Sequence, residues 1–515
     1  MTRQSIYMVA SENGALPGGK AGGVGDVLRD LPRALARRGH ATTVITPAYG
    51  TLHETPGMQP TGTLTVSFAG DTLSVTVFAY TDVFDVTHVV LEHALFSPDG
   101  NGQIYHDDGS DRPFATDAGK FALLSVSAAQ WLLDNADDQP IVHLHDWHAA
   151  WVLMLRQLDP AFAAMRQWRM VLTLHNLALQ GIRPRRDDPS SFEQWFGHIE
   201  DTDNILGDPR YSDCVNPIAT AIRLADALNT VSPTNAREIL QPNDASRSFR
   251  GGEGLEHLLR EAESKGKLHG ILNGCAYDTD KSRVSWSALH RAAIKTVESW
   301  QTSQPQFAGV HALALGSLAR LQSTPDIIVT SVGRLTDQKL GLLLRRDDTG
   351  RSTLQKLLAS LPERAVVMLL GSGDHAIEQD LVQHALSDPR LVFIRGFSEA
   401  LADCCYRAGQ LFLMPSTFEP CGISQMLAMR AGQPCLVHAV GGLNDTVSHL
   451  TTGFRFTGDS ADAQSSNCVS ALRLAQRVFF DEPDRWHTIA ESAAAMRFEW
   501  ASSAEHYERA MYAVS

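Results

Sequence analysis

The chain has 515 residues, more than one hydrophobic core usually supports, so we expect two large domains. Apolar residues make up 43% of it and charged residues 20%, the composition of an ordinary globular protein. Its 44 basic and 58 acidic residues give a net charge of -14, which argues against nucleic acid or an anionic membrane surface as a partner. An uncharged polymer is compatible with this charge.

The composition also bears on the compartment. No apolar run reaches the roughly 20 residues that span a bilayer, and the N-terminal residues lead into a strand rather than a signal peptide. We therefore expect a cytoplasmic protein with no membrane partner. The seven cysteines form no CxxC pair, a pattern that favours reduced thiols over a disulfide framework or a zinc site.

Strands and helices alternate along the first half of the chain. Helices are expected at residues 27–38 and 120–133. Apolar runs predict strands at residues 5–10, 41–46, 73–80, 87–92, 141–145, 170–175, 227–231 and 270–272. Such alternation predicts a parallel sheet with right-handed crossovers.

The second half repeats this alternation. Residues 273–325 lack a clear strand, so the hinge is expected near Asn273. Strands are predicted at residues 326–332, 365–370, 391–395, 411–414 and 435–438. The sequence thus predicts an α/β protein with two Rossmann-like domains, over residues 1–272 and 273–497.

Residues 415–446 contain the most informative motif. Pro-Ser-Thr-Phe-Glu-Pro-Cys-Gly follows the strand at 411–414 and places Glu419 at its carboxyl end, and Gly441-Gly442 follows the next strand. Ligands of doubly wound sheets bind at this edge, so Glu419 and the two glycine amides are expected to face one ligand. For Glu419 alone, an acidic residue near a helix N-terminus is the competing interpretation.

A second motif follows the first strand of the second half. Arg334 and Lys339 lie five residues apart on one strand-to-helix connection, a spacing that suits a diphosphate. Two solvated surface cations are the alternative. The glycine turn at 371–374 follows the next strand and is weak evidence by itself.

Two other motifs admit different chemistries. Residues 14–20 satisfy GxxxxGK, but Ala21 stands where a P-loop needs a hydroxyl for magnesium, and three glycines follow. Residues 143–148 read His-Leu-His-Asp-Trp-His and could ligate zinc. The order differs from the HxHxDH of metallo-β-lactamase-like hydrolases, and the further ligands are not evident downstream.

In order and spacing, these motifs resemble the bacterial glycogen synthase and starch synthase family. The matching segments are Lys-Ala-Gly-Gly-Val-Gly-Asp from Lys20, the histidine motif, Thr-Leu-His-Asn ending at Asn176, Arg-Leu-Thr-Asp-Gln-Lys from Arg334, and Phe-Glu-Pro-Cys-Gly with its Gly-Gly-Leu-Asn-Asp-Thr loop. The resemblance implies a GT-B fold, in which two Rossmann-like domains face each other across a cleft and the C-terminal helix, 498–515, returns to the first domain. It also implies ADP-glucose, or UDP-glucose, as donor and an α-1,4-glucan as acceptor, with retention of configuration, no metal and no cofactor.

The resemblance assigns roles residue by residue. It implies catalytic roles for His175, Glu419, Arg334 and Lys339. It implies substrate-binding roles for Lys20, Gly23, Asp26, His145, Asp146, Asn176, Asn273, Gly373, Cys421, Gly422, Gly441 and Gly442.

Some positions depart from the family pattern. Thr417 stands where the family usually has Arg, Val440 where it has Thr, and Cys275-Ala276 where it has Ile-Asp. The lost guanidinium and hydroxyl would have been donors near a diphosphate. A transferase with another donor or acceptor, and a catalytically weakened glucan-binding relative, therefore stay open as alternatives. The sequence gives no signal for an oligomeric state.

Overall fold

The computed structural model describes residues 3–98, 100–109, 112–277 and 282–513. The chain divides into two compact units. Unit 1 comprises Met1–Asn243, Gly251–Gly274 and Glu499–Ser515, and unit 2 comprises Asp244–Arg250 and Cys275–Phe498. The unit boundaries after residues 274 and 498 lie within two residues of the predicted domain boundaries. Residues 244–250 also belong to unit 2, which was not predicted.

Unit 1 is built on a nine-stranded sheet, accompanied by a two-stranded ribbon of β8 and β9. Its strands are β1 (Ser5–Val9), β2 (Ala41–Pro47), β3 (Gln59–Phe68), β4 (Asp71–Thr81), β5 (Val86–Glu92), β6 (Ile141–His145), β7 (Arg169–Leu174), β8 (Arg183–Pro184), β9 (Cys214–Val215), β10 (Ala227–Thr230) and β11 (Leu268–Gly270). The order across the large sheet is β11-β10-β7-β6-β1-β2-β5-β4-β3. From β11 to β5 the pairs are parallel, as predicted.

The prediction of a purely parallel sheet is wrong at one edge. β3 and β4 form an antiparallel hairpin, and β4 pairs antiparallel with β5. Residues 59–63 are exposed, so β3 has no apolar run that would predict a strand. Its turn, Ala69-Gly70, has φ of 53° and 82°, the left-handed conformation that two-residue hairpins favour.

Helices cover the sheet of unit 1. They are α1 (Gly23–Arg37), α2 (Ala115–Asn135), α3 (Asp146–Ala149), α4 (Trp151–Leu158), α5 (Phe192–Phe196), α6 (Pro217–Leu224), α7 (Pro233–Glu238) and α8 (Glu256–Ser264). α2 is buried nearly all round, since α3, α4 and β3 pack against it.

Unit 2 has an all-parallel sheet of six strands with the order β14-β13-β12-β15-β16-β17. They are β12 (Ile327–Val332), β13 (Ala365–Gly371), β14 (Leu391–Arg395), β15 (Leu411–Met414), β16 (Cys435–His438) and β17 (Gly453–Phe456). All but β17 were predicted. The confirmed fold class is therefore α/β with two Rossmann-like units.

The helices of unit 2 lie between and beyond these strands. They are α9 (Trp286–Ser303), α10 (Ala308–Arg320), α11 (Asp337–Leu344), α12 (Thr353–Ser360), α13 (His375–Ser387), α14 (Glu399–Ala408), α15 (Ser424–Arg430), α16 (Gly441–Thr446), α17 (Ala461–Asp481) and α18 (Pro483–Ala495). The strandless stretch expected over 273–325 contains α9 and α10, which pack on each other.

The chain ends with α19 (Trp500–Tyr507) and a single π-helical turn (Glu508–Tyr512), both part of unit 1. α19 packs on α1, and Trp500, Tyr507 and Tyr512 join a buried apolar cluster with Leu31 of that helix. The last segment of the sequence therefore completes the core of the first unit.

Two further expectations concern cysteines and membranes. All seven cysteines lie within the described residues, where none forms a disulfide, and five of them are buried. Within the described ranges, no helix combines the length and apolarity needed to cross a membrane.

Candidate functional site

The carboxyl edge of the sheet in unit 2 gathers the motifs of the second half. The connections after β12 and β15 line an open pocket with Ser331, Arg334, Lys339, Met414 and Ser416. This edge is where parallel sheets bind ligands. The parallel pairing of β12 with β15 brings together residues about 80 positions apart in the sequence.

Lys339 and Glu419 form an ion pair at this edge. The Glu419 side chain is 8% exposed and that of Lys339 is 21% exposed. Ser416 Oγ donates to Oε2 of Glu419 at 3.2 Å, the same oxygen that Lys339 contacts. A lysine ammonium has three donors, so Lys339 can keep this carboxylate and still bind a second anion.

Arg334 is the second cation of the pocket. It is exposed, and its guanidinium has no hydrogen-bond or ion-pair partner among the residues that the structure describes. Its charge is therefore free to meet an anion. Arg334 and Lys339 thus line the same pocket. Their shared position favours a pair that binds one anion over the alternative of two unrelated surface residues.

Gly441 and Gly442 do not form the open turn that was expected. They begin α16, and the Gly442 amide donates to the carbonyls of Glu419 (3.1 Å) and Pro420 (3.2 Å). A Cβ on Gly441 would lie 1.9 Å from the Glu419 carbonyl oxygen, and one on Gly442 would lie 2.2 Å from that of Cys421. The prediction that the Gly442 amide faces a ligand is wrong, because these glycines let the chain pack against the turn that holds Glu419.

Gln425 holds the turn at Cys421 and Gly422. Its side-chain amide donates to the carbonyls of Cys421 (3.2 Å) and Gly422 (3.0 Å) and to Thr446 Oγ1 (3.2 Å). Gly422 has φ of 76°, which explains the glycine, and Cys421 is buried. Both residues shape the loop through their backbone. Gln425 was not predicted as a site residue, because its role depends on contacts with α16.

The amide of Gly373 is also engaged within the protein. It donates to Glu378 Oε1 at 3.1 Å, and Glu378 Oε2 pairs with Arg395 at 2.8 Å. A Cβ on Gly373 would lie 2.3 Å from the Leu335 carbonyl oxygen. This glycine therefore allows the connections after β12 and β13 to touch.

Phe397 is a residue of this edge that the sequence analysis missed. It follows β14, its neighbour Gly396 donates to the Gly371 carbonyl at 3.0 Å, and its side chain is 57% exposed. An exposed aromatic ring at this edge of the sheet offers a flat surface on which a base can stack. The available signal was an aromatic residue placed two positions after a buried strand.

The glycine-rich loop of unit 1 binds a carboxylate of its own chain. The amides of Ala21, Gly22 and Gly25 donate to Glu12 Oε2 at 2.9, 2.7 and 3.1 Å. Tyr105 donates its hydroxyl to Oε1 at 2.8 Å. The expectation that these amides approach phosphates is wrong for these three, because Glu12 occupies the N-terminus of α1 as an anion would.

Lys20, Gly23 and Asp26 lie beside this loop. Lys20 Nζ pairs with Asp26 Oδ1 at 2.7 Å, and Arg29 contacts the same oxygen at 3.1 Å. Gly23 opens α1 and is exposed, with no atom within 4 Å of where a Cβ would be. A ligand could approach the backbone closely at Gly23.

His143 belongs to a buried hydrogen-bond chain. Its ring contacts Tyr512 Oη at 2.8 Å and Thr173 Oγ1 at 2.6 Å, and Thr173 donates onward to Asn229 Oδ1 at 2.6 Å. Both ring nitrogens are thus occupied by core partners. Among the described residues no group of three or more His, Cys, Asp or Glu is placed to hold a metal ion.

His145, Asp146 and His175 meet at the ends of β6 and β7. His145 Nδ1 lies 3.0 Å from His175 Nε2, and Asp146 Oδ1 accepts the His175 amide at 2.7 Å. Burial lowers the pKa of His175 to about 3 and raises the pKa of Asp146 to about 7. At neutral pH His175 is therefore a neutral ring that can donate or accept one hydrogen bond from a sugar hydroxyl.

Asn176 and Asn273 occupy different positions in unit 1. Asn176 follows His175, and its side chain accepts the Ala178 amide at 3.0 Å. Asn273 is buried near the end of the Gly251–Gly274 stretch, and its Oδ1 has no partner among the described residues. The Asn176 side chain therefore holds the local backbone, whereas the Asn273 side-chain oxygen is available to accept a hydrogen bond.

Comparisons with known proteins identify the class. The family model "Starch synthase catalytic domain" matches residues 5–261, and "Glycosyl transferases group 1" matches residues 327–473. Sucrose-phosphate synthase from Thermosynechococcus elongatus has the same fold, with a TM-score of 0.57 at 18% identity over 98% of both chains. The protein is thus a glycosyltransferase of the GT-B fold.

The relatives narrow the class to a family. A glycogen synthase from Anaeromyxobacter dehalogenans is 34% identical over 98% of both chains. The catalytic domain of starch synthase IV from Arabidopsis thaliana, solved with ADP and acarbose bound, is 25% identical with a TM-score of 0.76 over 99% of both chains. The chain belongs to the glycogen synthase and starch synthase family.

Proposed function

We propose that this enzyme transfers glucose from ADP-glucose to the non-reducing end of an α-1,4-glucan with retention of configuration. The observation that carries the proposal is the pocket that contains the exposed Arg334 together with Lys339, whose ammonium pairs with the carboxylate of Glu419. The Arabidopsis starch synthase solved with ADP and acarbose supports the choice of an adenine nucleotide.

The steps follow from the charges. Arg334 and Lys339 bind the diphosphate and stabilise the negative charge that grows on it as the bond to the anomeric carbon breaks. The glucosyl group becomes oxocarbenium-like, and the acceptor 4-hydroxyl attacks from the face that the diphosphate leaves. Its proton passes to a departing phosphate oxygen. Glu419, held by Lys339 and Ser416, holds the sugar and stabilises the positive charge.

Groups of unit 1 complete the proposed reaction. His175, a neutral ring fixed by His145, is proposed to hydrogen-bond the transferred glucose, and Asp146 fixes the backbone of His175. Lys20, which is oriented by its ion pair with Asp26, is proposed to contact the donor. Gly23 lacks a side chain, so the donor is proposed to approach the backbone closely at this residue. Asn176 and Asn273 are proposed to contact substrate through their amides. No metal or cofactor enters these steps.

The departures from the family pattern bear on donor binding. The amide and hydroxyl of Thr417 both donate to the Gln338 carbonyl, at 2.9 and 3.3 Å. Thr417 therefore connects the loop that contains Glu419 to α11, which contains Lys339. Unlike the arginine usual in the family, it supplies no positive charge for the diphosphate. The proposed enzyme relies on Arg334, Lys339 and Lys20 for the diphosphate. The cytoplasmic location stays a prediction.

The test is ADP release from ADP-glucose in the presence of glycogen. Lys339→Ala is expected to lower the rate by about 10²- to 10³-fold, the usual effect of removing one electrostatic contact to a developing anion. Lys356→Ala is the matched control, because Lys356 pairs with Asp347 at 2.7 Å outside the pocket. Equal rates for the wild type and Lys339→Ala would contradict the assignment, and a wild type that consumes no ADP-glucose would contradict the donor.

A further inference from the structure

His438 is a buried histidine that the proposed steps leave unused. It ends β16, is 4% exposed, and stacks on Phe456 of β17 with ring centroids 5.0 Å apart and planes 8° apart. The two residues are neighbours in the parallel register of β16 and β17. The stack fixes the plane of the imidazole, so its nitrogens point in set directions.

The Nδ1 atom of His438 lies 3.1 Å from the carbonyl oxygen of Ser416. A carbonyl can only accept, so Nδ1 carries the hydrogen. Burial lowers the pKa of His438 to about 4, so at neutral pH the ring is uncharged and donates from Nδ1 alone. The stack and this hydrogen bond together select one tautomer.

Ser416 connects this histidine to Glu419. Its Oγ donates to Glu419 Oε2 at 3.2 Å, and the same carboxylate oxygen pairs with Lys339. Ser416 is fully buried between β15 and the turn that presents Glu419. The hydrogen bond from His438 therefore holds the peptide whose side chain orients the carboxylate.

We propose that His438 is a positioning residue, whose Nδ1–H fixes the Ser416 peptide and thereby the direction in which Glu419 points. This inference rests on the proposed function for the role of Glu419, since His438 acts through Ser416. The competing explanation is a ring that serves packing alone. Packing alone requires only a side chain of similar size, whereas positioning requires a donor at the place of Nδ1.

Two amide substitutions separate these explanations. The amide nitrogen of asparagine can take the place of Nδ1, since both atoms are bonded to Cγ, whereas that of glutamine reaches one bond further, towards the place of Nε2. Both substitutions remove the stack on Phe456, so they serve as controls for each other in stability. With ADP-glucose and glycogen, His438→Asn is expected to keep kcat within about threefold of the wild type. His438→Gln is expected to lose about tenfold in kcat, with KM for ADP-glucose unchanged, as expected for an interaction realised in the transition state.

A double-mutant cycle tests the route through Glu419. In a Glu419→Gln background, His438→Gln should cause no further loss of kcat, because the carboxylate that it orients is absent. A full tenfold loss in that background would overturn the inference. Equal kcat for His438→Asn and His438→Gln would also overturn it, because the effect would then follow the lost ring and not the donor.

Crystal structures of the two variants keep this inference separate from the proposed function. His438→Gln should displace the Ser416 carbonyl and the Glu419 carboxylate, and His438→Asn should leave both in place. An undisplaced carboxylate in His438→Gln overturns the positioning role whatever the activity. If the wild type consumes no ADP-glucose but the displacement is seen, the proposed function fails and the positioning of Glu419 stands.

Discussion

At the residue scale, Lys339 and Glu419 depend on each other. A carboxylate that is 8% exposed is costly without a counter-charge, and Lys339 supplies that charge within the same pocket that contains Arg334. Substituting Lys339 therefore removes a cation that is proposed to bind the donor, and it also leaves a buried carboxylate without its counter-charge. The rates of ADP release by the wild type and by Lys339→Ala should therefore be compared at a temperature at which both proteins are folded.

Phe397 is expected to determine affinity for the nucleotide. Its ring is 57% exposed beside the connection after β13, and stacking of one base on an aromatic side chain contributes about 1–3 kcal/mol. Phe397→Ala should raise KM for ADP-glucose by roughly tenfold and change kcat less, since 1.4 kcal/mol corresponds to about tenfold in binding. Steady-state kinetics at saturating glycogen measures both constants.

Phe480→Ala is the matched control for this prediction. Phe480 is also an exposed phenylalanine of unit 2, 45% accessible, but it lies on α17. Its substitution should leave KM unchanged. An unchanged KM in Phe397→Ala, or an equal rise in both variants, would show that Phe397 does not bind the base.

At the element scale, the C-terminal segment is attached to unit 1 by charge as well as by apolar packing. Glu508 accepts hydrogen bonds from Arg38 through both carboxylate oxygens at 2.7 Å, and its Oε1 lies 2.8 Å from His40 Nε2. The Gln4 amide donates to the other ring nitrogen of His40, so Nε2 carries the hydrogen and donates. The Arg38 guanidinium lowers the pKa of Glu508 by hydrogen bonding to it.

Glu508→Ala should lower the free energy of unfolding of unit 1 by about 2–3 kcal/mol, because it removes the carboxylate that pairs with Arg38 and accepts from His40. Glu505→Ala is the control on the same segment: within the described part of the chain Glu505 pairs only with the exposed Arg509, so its substitution should cost less than about 0.5 kcal/mol. Urea unfolding measures both. Equal destabilisation by the two variants would contradict the role of Glu508.

At the scale of the whole molecule, acid stability is set by buried neutral histidines. Burial lowers the pKa of His143, His148 and His175 to about 3 and that of His145 well below its usual value. The unfolded chain binds these protons near pH 6.5, so their contribution to stability is full above that pH and is lost as the pH falls. The pKa of Asp146 is raised to about 7, so the folded protein takes up this proton at a higher pH than the unfolded chain does. Asp146 therefore adds stability as the pH falls from about 7 to about 4.

These four histidines, together with His438, outweigh Asp146, so the protein should lose stability between pH 7 and pH 5. Each histidine contributes about 1 kcal/mol per pH unit on average in this window, because the slope reaches its full value of about 1.4 kcal/mol only well below pH 6.5. The urea midpoint at the two pH values measures the loss. His148→Phe removes one titrating group and should make the pH dependence shallower, and a wild-type midpoint that stays constant or rises on acidification would contradict this account.

The sequence by itself determined the order of elements and the chemistry of the motifs. Apolar runs predicted β12 to β16 because strands of a parallel sheet are buried on both faces and need continuous apolar residues. The cations Arg334 and Lys339 and the carboxylate Glu419 were identified because few residue types can bind a diphosphate or stabilise a sugar cation. β3 and β17 were missed, since β3 is a half-exposed edge strand and β17 reads Gly-Phe-Arg-Phe, in which a glycine and an arginine interrupt the apolar run.

Only the tertiary structure decided which polar groups are free and which are already paired. Backbone amides give no sign of their partners in a sequence, so the engagement of the Gly22 and Gly25 amides by Glu12, and of the Gly442 amide by the Glu419 turn, could not be foreseen. The same holds for His438, which reaches Glu419 through Ser416 across 22 residues of sequence. Such contacts depend on distances between strands that are adjacent in the sheet and separated along the chain, and local patterns of residues do not encode those distances.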